Sequence, residues 1–346
     1  MTRRYLDQRL RLSLLRAVDA VEAQGSLLKA SAALGTSQPA LTKNLQELED
    51  ILQMRLFDRH PRGVIPTAGG RVFIQAARRI LADMHRLEED LDQLTNPNCG
   101  TVALGALPVT ANGLLPGVLS RLKTAHPDIR ILLHHGRGTD LFPLLASGQI
   151  DLIVGRLYEP AVPDGFRREP LWSEPISIVA RSGHPIFADT VTVDTLRHYD
   201  LVLPTMSQRI GQEIEHLLEM LSVEPTAPLR SSSPGVIREM LYGTDSVSMA
   251  PRLMLLGDLL RGTLSFAALP IPAPERPAGL ILPRDRPLPP AAGAFVRCLR
   301  GYICEIMARG VVPAWTGDRG SRGSNGSNGS NGSNGAVAAS EGQALN

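Results

Sequence analysis

Gln38, Pro39, Thr42 and Lys43 fall on one side of a segment in which Leu41, Leu45, Leu48 and Leu52 advance by four, three and four residues. That spacing is helical, so the leucines share one face and the polar residues, with Gln46, share the other. The chemistry of such a polar face is recognition. A glutamine amide pairs bidentately with adenine, threonine and proline touch thymine methyls, and lysine reaches guanine or a phosphate in a major groove. A solvated helix face carries the same residue types, and that is the plainer alternative. A second polar set lies further along: Thr110 after an apolar run, Arg156 just past Asp151-Leu152-Ile153-Val154-Gly155, Thr205 and Ser207, and Ser232 and Ser233 ahead of Pro234. Hydroxyls and a guanidinium so placed hold a small polar ligand, or cap helices and form surface ion pairs. The chain contains no nucleophile elbow, no phosphate-binding glycine loop ending in lysine, no metal-binding histidine pair and no Cys-His spacing. Catalysis and a bound metal therefore have no support, and no cofactor is expected beyond a small-molecule effector.

The first polar set needs a scaffold, and the preceding residues supply one. Leu12, Leu15, Val18 and Val21 recur at helical spacing, Gly25 and Ser26 break the chain, and Leu27 to Leu34 form a short second helix. Gly35 provides a permissive turn, Thr36 or Ser37 caps the next helix, and Pro39 is tolerated in its first turn. The helix carrying Gln38 thus begins near Ser37, as the second helix of a helix-turn-helix. Phe57-Asp58-Arg59-His60-Pro61-Arg62-Gly63 reads as a turn between two short strands, with Arg59 and Arg62 at an exposed tip. Such a wing suits Arg62 for a narrowed minor groove. Charge agrees: residues 1 to 79 hold 13 Lys and Arg against 7 Asp and Glu, whereas residues 80 to 95 hold 1 against 5. Only the first segment suits a polyanion.

After Thr67, a plausible N-cap, a proline-free run contains Phe73, Ala77, Ile80, Met84, Leu87, Leu91 and Leu94 at alternating fours and threes. A seam of that kind wants a partner helix. Thr95 to Gly100 is a turn-rich break that sets the head apart. Strands over Val102 to Leu107, Ile129 to His134 and Ile150 to Gly155 alternate with helices over Leu114 to Ala125 and Thr139 to Ser147. A second alternating region runs through Ile176 to Ala180, Leu201 to Pro204, Gln208 to Leu221, Leu229 to Ser232 and Pro234 to Gly243. Phe266 to Ile271 is expected to return the chain to the first lobe for a last helix, Ala291 to Met307.

The run Ala30 to Leu34, Thr36-Ser37-Gln38-Pro39-Ala40-Leu41-Thr42-Lys43, Leu48-Glu49, Leu56-Phe57-Asp58-Arg59 and Pro66-Thr67-Ala68-Gly69 resembles the LysR-type transcriptional regulators, and the likeness covers about residues 9 to 310. The resemblance implies an α/β protein: a winged helix-turn-helix (1–66), a linker helix for dimerisation (67–95) and a two-lobe effector domain like a periplasmic binding protein (96–312). Lobe I spans about 100–167 and 267–310, lobe II about 168–266, and a Gly/Ser/Asn-rich tail follows (313–346). It implies DNA contacts from Ser37, Gln38, Pro39, Thr42 and Lys43, wing contacts from Arg59 and Arg62, and pairing of two subunits through the linker helix. It also implies a homodimer assembling into a tetramer, with promoter DNA, a small-molecule effector and RNA polymerase as partners. The effector would lie near the Leu107-Pro108-Val109-Thr110-Ala111 loop. There Val109 occupies a position that many family members fill with Ser or Thr, so the hydroxyl is displaced to Thr110. Sugar derivatives and aromatic or other small acids are the effector classes left open.

Cys99, Cys298 and Cys304 are odd in number and lack metal spacing, which favours reduced thiols in a cytoplasmic protein. No apolar run of membrane length occurs, and Tyr5 to Arg11 is too charged for a secretory signal. Four Gly-Ser-Asn repeats between Gly323 and Asn334 predict a disordered tail. Two other readings stand beside a ligand-responsive regulator: an architectural DNA-coating protein, and a solute-binding or enzymatic protein with an incidental head.

Overall fold

A computed structural model describes residues 6–60, 63–95, 100–160, 162–225, 228–271 and 276–315. After a single turn α1 (Leu6–Arg9), the head consists of α2 (Leu12–Gln24), α3 (Leu27–Ala33) and α4 (Gln38–Leu52), the strands β1 (Phe57–His60) and β2 (Gly63–Pro66), and the start of α5 (Ala68–Thr95). Leu14, Val18, Leu41, Leu48 and Leu56 are fully buried in one core, as the leucine spacing requires. Gly35 takes φ +62° in the turn before α4. Of the two capping candidates it is Ser37 that caps α4, its hydroxyl accepting the Ala40 amide at 3.3 Å. β1 and β2 pair antiparallel, with His60 opposite Gly63. The wing therefore differs from its sequence reading. Phe57 to His60 is strand, not turn, so Arg59 sits in β1 opposite Val64, away from the tip. Its side chain, Pro61 and Arg62 lie outside the described residues.

The next sheet has the strand order β4-β3-β5-β12-β6. Its parallel half follows the expected alternation: β3 (Gly100–Ala106), α6 (Pro108–Gly113), α7 (Leu115–Ala125), β4 (Ile129–His135), α8 (Gly138–Ser147) and β5 (Leu152–Arg156). Residues 152 to 155 are buried on both faces, which is why they read as an unbroken apolar run. The antiparallel half departs from expectation. β6 (Phe166–Ser173) pairs along its length with a later strand, so residues 168 to 173 belong to the first sheet and not to lobe II.

Lobe II holds β7 (Ile176–Arg181), α9 (Val193–Arg197), β8 (Val202–Pro204), α10 (Arg209–Met220), β9 (Leu229–Ser231), α11 (Pro234–Gly243), β10 (Ser248–Pro251), α12 (Leu256–Arg261) and β11 (Leu264–Ala267). Phe266 lies in β11, paired with β7 inside lobe II, so this segment is not the return strand. The return is β12 (Pro277–Pro283), followed by α13 (Pro290–Ala308), whose Phe295 and Leu299 are buried in the lobe I core with Trp172. Two crossovers thus join the lobes, one at Glu174-Pro175 and one ending at Arg276. The Glu174 amide donates to the Arg276 carbonyl at 2.8 Å, so the crossovers run side by side.

Candidate DNA-reading face and effector cleft

The polar face of α4 stands clear of the head. Ser37, Gln38, Pro39 and Lys43 are exposed and Thr42 is half-buried, while the leucines on the opposite face are packed inside. Ser37 is committed to the cap, which leaves Gln38 and, one turn on, the adjacent Thr42 and Lys43 as the candidate reading groups of this face. The wing is tied to the head, because the Val64 amide donates to the Gly25 carbonyl at 3.0 Å. α5 is bound to α2 through Arg78, whose Nε donates to Asp19 at 2.6 Å and whose Nη2 pairs with Glu22. Head and linker helix are thus fastened to each other by this fork.

The expected linker seam splits into two parts. Phe73 packs against the head core and Ala77 is fully buried, so both are consumed within the chain and not by a partner helix. Met84 is half-buried, whereas Ile80, Leu87 and Leu91 are exposed at 44%, 50% and 56%. Val72, at 72%, is exposed as well but lies about 80° around the helix from Ile80. The Leu94 side chain and Cys99 lie outside the described residues.

The candidate effector residues do not form one cluster. Thr110 is fully buried in the short helix α6, with no hydrogen-bond partner for its hydroxyl among the described residues, and Val109 packs against the cores of both lobes. Thr110 is thus closed off from solvent, and Val109 is half-buried where the two lobes meet. The hydroxyls of lobe II do gather. β8 and β9 are parallel with Pro204 opposite Ser231, and their carboxyl ends present Thr205, Ser207, Ser232 and Ser233. Thr205 Oγ1 lies 2.9 Å from Ser207 Oγ, while Ser233 spends its hydroxyl on the Val236 amide at the start of α11. Ser233 is thus a cap.

Arg156 meets lobe II through Tyr158. Its guanidinium lies 5.3 Å from the Tyr158 ring and donates to the Pro277 carbonyl at 2.8 Å. On the other side Arg209, the first residue of α10, stacks on the same ring at 3.6 Å, and the Tyr158 hydroxyl lies 3.2 Å from Glu213. Arg276, almost fully buried, pairs with Glu213 and donates to the Glu174 carbonyl at 2.8 Å. Glu174 is buried completely, and burial pushes its carboxyl up to about 7, against the pull of Arg276 and Arg156. Guanidiniums and carboxylates of both lobes thus meet at the junction. Sequence reading found only Arg156, because Arg209, Glu213 and Arg276 carry no local pattern.

Comparison with known proteins agrees with both halves. Residues 12–71 match the bacterial regulatory helix-turn-helix of the lysR family, and residues 95–303 match the LysR substrate binding domain. The chain is 32% identical over 300 residues to the SDS degradation transcriptional activation protein of Pseudomonas sp. (strain ATCC 19151), covering 85% of this chain and 96% of that one. It is 29% identical over 283 residues to the HTH-type transcriptional regulator PcaQ of Agrobacterium fabrum (strain C58 / ATCC 33970), covering 81% and 91%. Its fold is similar to that of full-length CbnR complexed with its target DNA, with a TM-score of 0.58, 22% identity, and coverage of 85% of this chain and 100% of that one. A helix-turn-helix with an exposed polar face, joined to two ligand-binding lobes, defines a one-component regulator. This chain belongs to the LysR family of transcriptional regulators. It binds DNA through its head and a small-molecule effector through its lobes, and it is not an enzyme. Among the described residues no helix is long and apolar enough to cross a membrane.

Proposed function

We propose that the chain is a cytoplasmic regulator that reads promoter DNA through Gln38, Thr42 and Lys43, and that its effector is a small organic acid. The observation that carries the acid assignment is the exposed guanidinium at the lobe junction. Arg209 lies 3.6 Å over the Tyr158 ring, 3.9 Å from Glu213, and its side chain is 65% exposed, beside the hydroxyls at the end of β8. A guanidinium fork held on an aromatic face and open to solvent binds a carboxylate in a bidentate manner. Thr205 and Ser207, two to four residues before Arg209, add hydroxyls for orientation.

Subunits pair through the exposed Ile80, Leu87 and Leu91 of α5, and paired dimers form the tetramer, whose heads engage neighbouring half-sites and whose DNA-bound state contacts RNA polymerase. Effector binding favours one lobe arrangement and thereby one spacing of heads and one DNA bend; a ligand acts only through its differential affinity for the two arrangements. The test is thermal unfolding of the full chain with aromatic acids, sugar acids, aliphatic acids and neutral sugars. An acid raises Tm in a concentration-dependent way, since a ligand specific for the folded state stabilises it, and Arg209→Ala removes the rise. Stabilisation by neutral sugars alone contradicts the acid assignment.

A further inference from the structure

The linker helix does not merely end beside lobe I; it is docked on it. α8 closes at Gly148, which takes φ +80° and lies against the linker, so that a Cβ there would stand 3.0 Å from the Cβ of Ala82. The carbonyl end of α8 collects three guanidiniums. Arg79 Nε donates to the Ala146 carbonyl at 3.2 Å, Arg86 Nη2 to the Gly148 carbonyl at 3.3 Å, and Arg286, from the loop after β12, to the Leu145 carbonyl. A helix carboxyl terminus carries a partial negative charge and unpaired carbonyls, so cations are stabilised there.

Arg86 goes one step further. Its Nη2 lies 3.6 Å from Oδ1 of Asp151, whose Oδ2 accepts the Ala103 amide of β3 at 2.9 Å. The carboxylate side chain is 9% exposed and the guanidinium 19%. Burial pushes the Asp151 carboxyl up, while the Ala103 amide, Arg86 and Arg286 hold it down. A carboxylate this enclosed depends on its cations far more than a surface pair does, and of the two only Arg86 comes from the linker. Asp151 also stands at a particular place in the fold. It immediately precedes β5, and Arg156 ends the same strand. Five residues of central strand, four of them buried and about 17 Å at the usual rise, link the linker contact to the lobe junction.

Resting on the reading that the effector binds at the lobe junction, we propose that Arg86 is a positioning residue: through Asp151 and the carboxyl end of α8 it fixes the angle between the linker helix and lobe I, so that displacement of β5 at the effector cleft reaches the DNA-binding head. β5 is the rigid member of this connection, and the Arg86 contact is the joint that makes or breaks. Arg78 already fastens the head to α5, so what moves the linker moves α4.

The experiment uses the full chain with the variants Arg86→Gln, Arg86→Lys, Asp151→Asn and the Arg86→Gln/Asp151→Asn double. Small-angle X-ray scattering is recorded at matched oligomeric mass, with hydrogen exchange of the segments 100–106 and 144–151. Asp151→Asn keeps an oxygen for the Ala103 amide and removes only the charge. The expected result is a larger maximum dimension for Arg86→Gln and Asp151→Asn, with at least fivefold faster exchange at 144–151. The double variant is no more extended than either single, and Arg86→Lys falls between Gln and the parent. Where Asp151→Asn loosens the whole sheet, Arg86→Gln decides, since its residue lies on the linker and outside both lobe cores. Scattering curves that superimpose on the parent with unchanged exchange overturn the proposal, even with a lowered Tm, because a purely structural ion pair predicts that pattern.

Discussion

Gln38 and Lys43 share the exposed face of α4 but differ in what they contribute to DNA binding. A neutral amide gains little from phosphate and much from a base edge, whereas an ammonium is attracted to every phosphate. Gln38→Ala is expected to cost about 1 to 3 kcal/mol on a selected DNA site and almost nothing on random duplex; Lys43→Ala weakens both and lowers the salt dependence. Electrophoretic titration on the two DNAs separates the cases. In the effector domain, Glu174 sets a pH signature. Its carboxyl titrates at 4.5 in an exposed setting and about 7 in the fold, so between these values the folded chain keeps a proton that the unfolded chain has lost. Stability therefore falls as pH rises from about 4.5 to 7, and Glu174→Gln flattens that slope in denaturant titrations. Gln38 was legible in the sequence because its helix is defined by neighbours a turn away. Glu174 was not, since what buries and pairs it is Arg276, 102 residues distant.

At the scale of elements, helices and parallel strands were readable where apolar spacing is local and dense. α4, α10, α11 and β5 lie within a residue or two of expectation. β12 escaped because Pro277-Ala278-Gly279 and Pro283 give it the composition of a loop, and β6 because Pro170 and three charged residues interrupt it. Both are antiparallel members of the first sheet with a register shift at Ala278/Gly279, an irregularity that hides a period of two. The linker helix shows a subtler limit: its seven-residue pattern is real, but one helix serves two contacts. Phe73 and Ala77 face the head, while Ile80, Leu87 and Leu91 face outward. Leu87→Lys is accordingly expected to reduce the assembly mass in sedimentation with little loss of monomer stability. Ala77→Lys instead unfolds the head, because it places an ammonium in a closed core. The reverse pattern would assign the partner contact to the wrong stripe.

For the whole molecule, charge and connection matter more than any single contact. Basic residues concentrate in the first 79 positions, so affinity for any duplex falls steeply with ionic strength, while preference among sequences survives. The two lobes are joined by adjacent crossovers at Glu174 and Arg276, and lobe I is joined to the head by a linker helix that Arg78 and Arg86 fasten at successive points. The family assignment accounts for a head that binds DNA and lobes that bind a ligand; the geometry proposes how one is felt by the other. The most direct measurement is selection of duplexes from a random pool by the full chain, followed by footprinting of the recovered DNA with and without a stabilising acid. A bounded, two-fold related footprint with half-sites about one helical turn apart, altered in span or bend by the acid and lost with Gln38→Ala, is the predicted result. Uniform coating of unselected sequence, indifferent to Gln38 and to the acid, would contradict it.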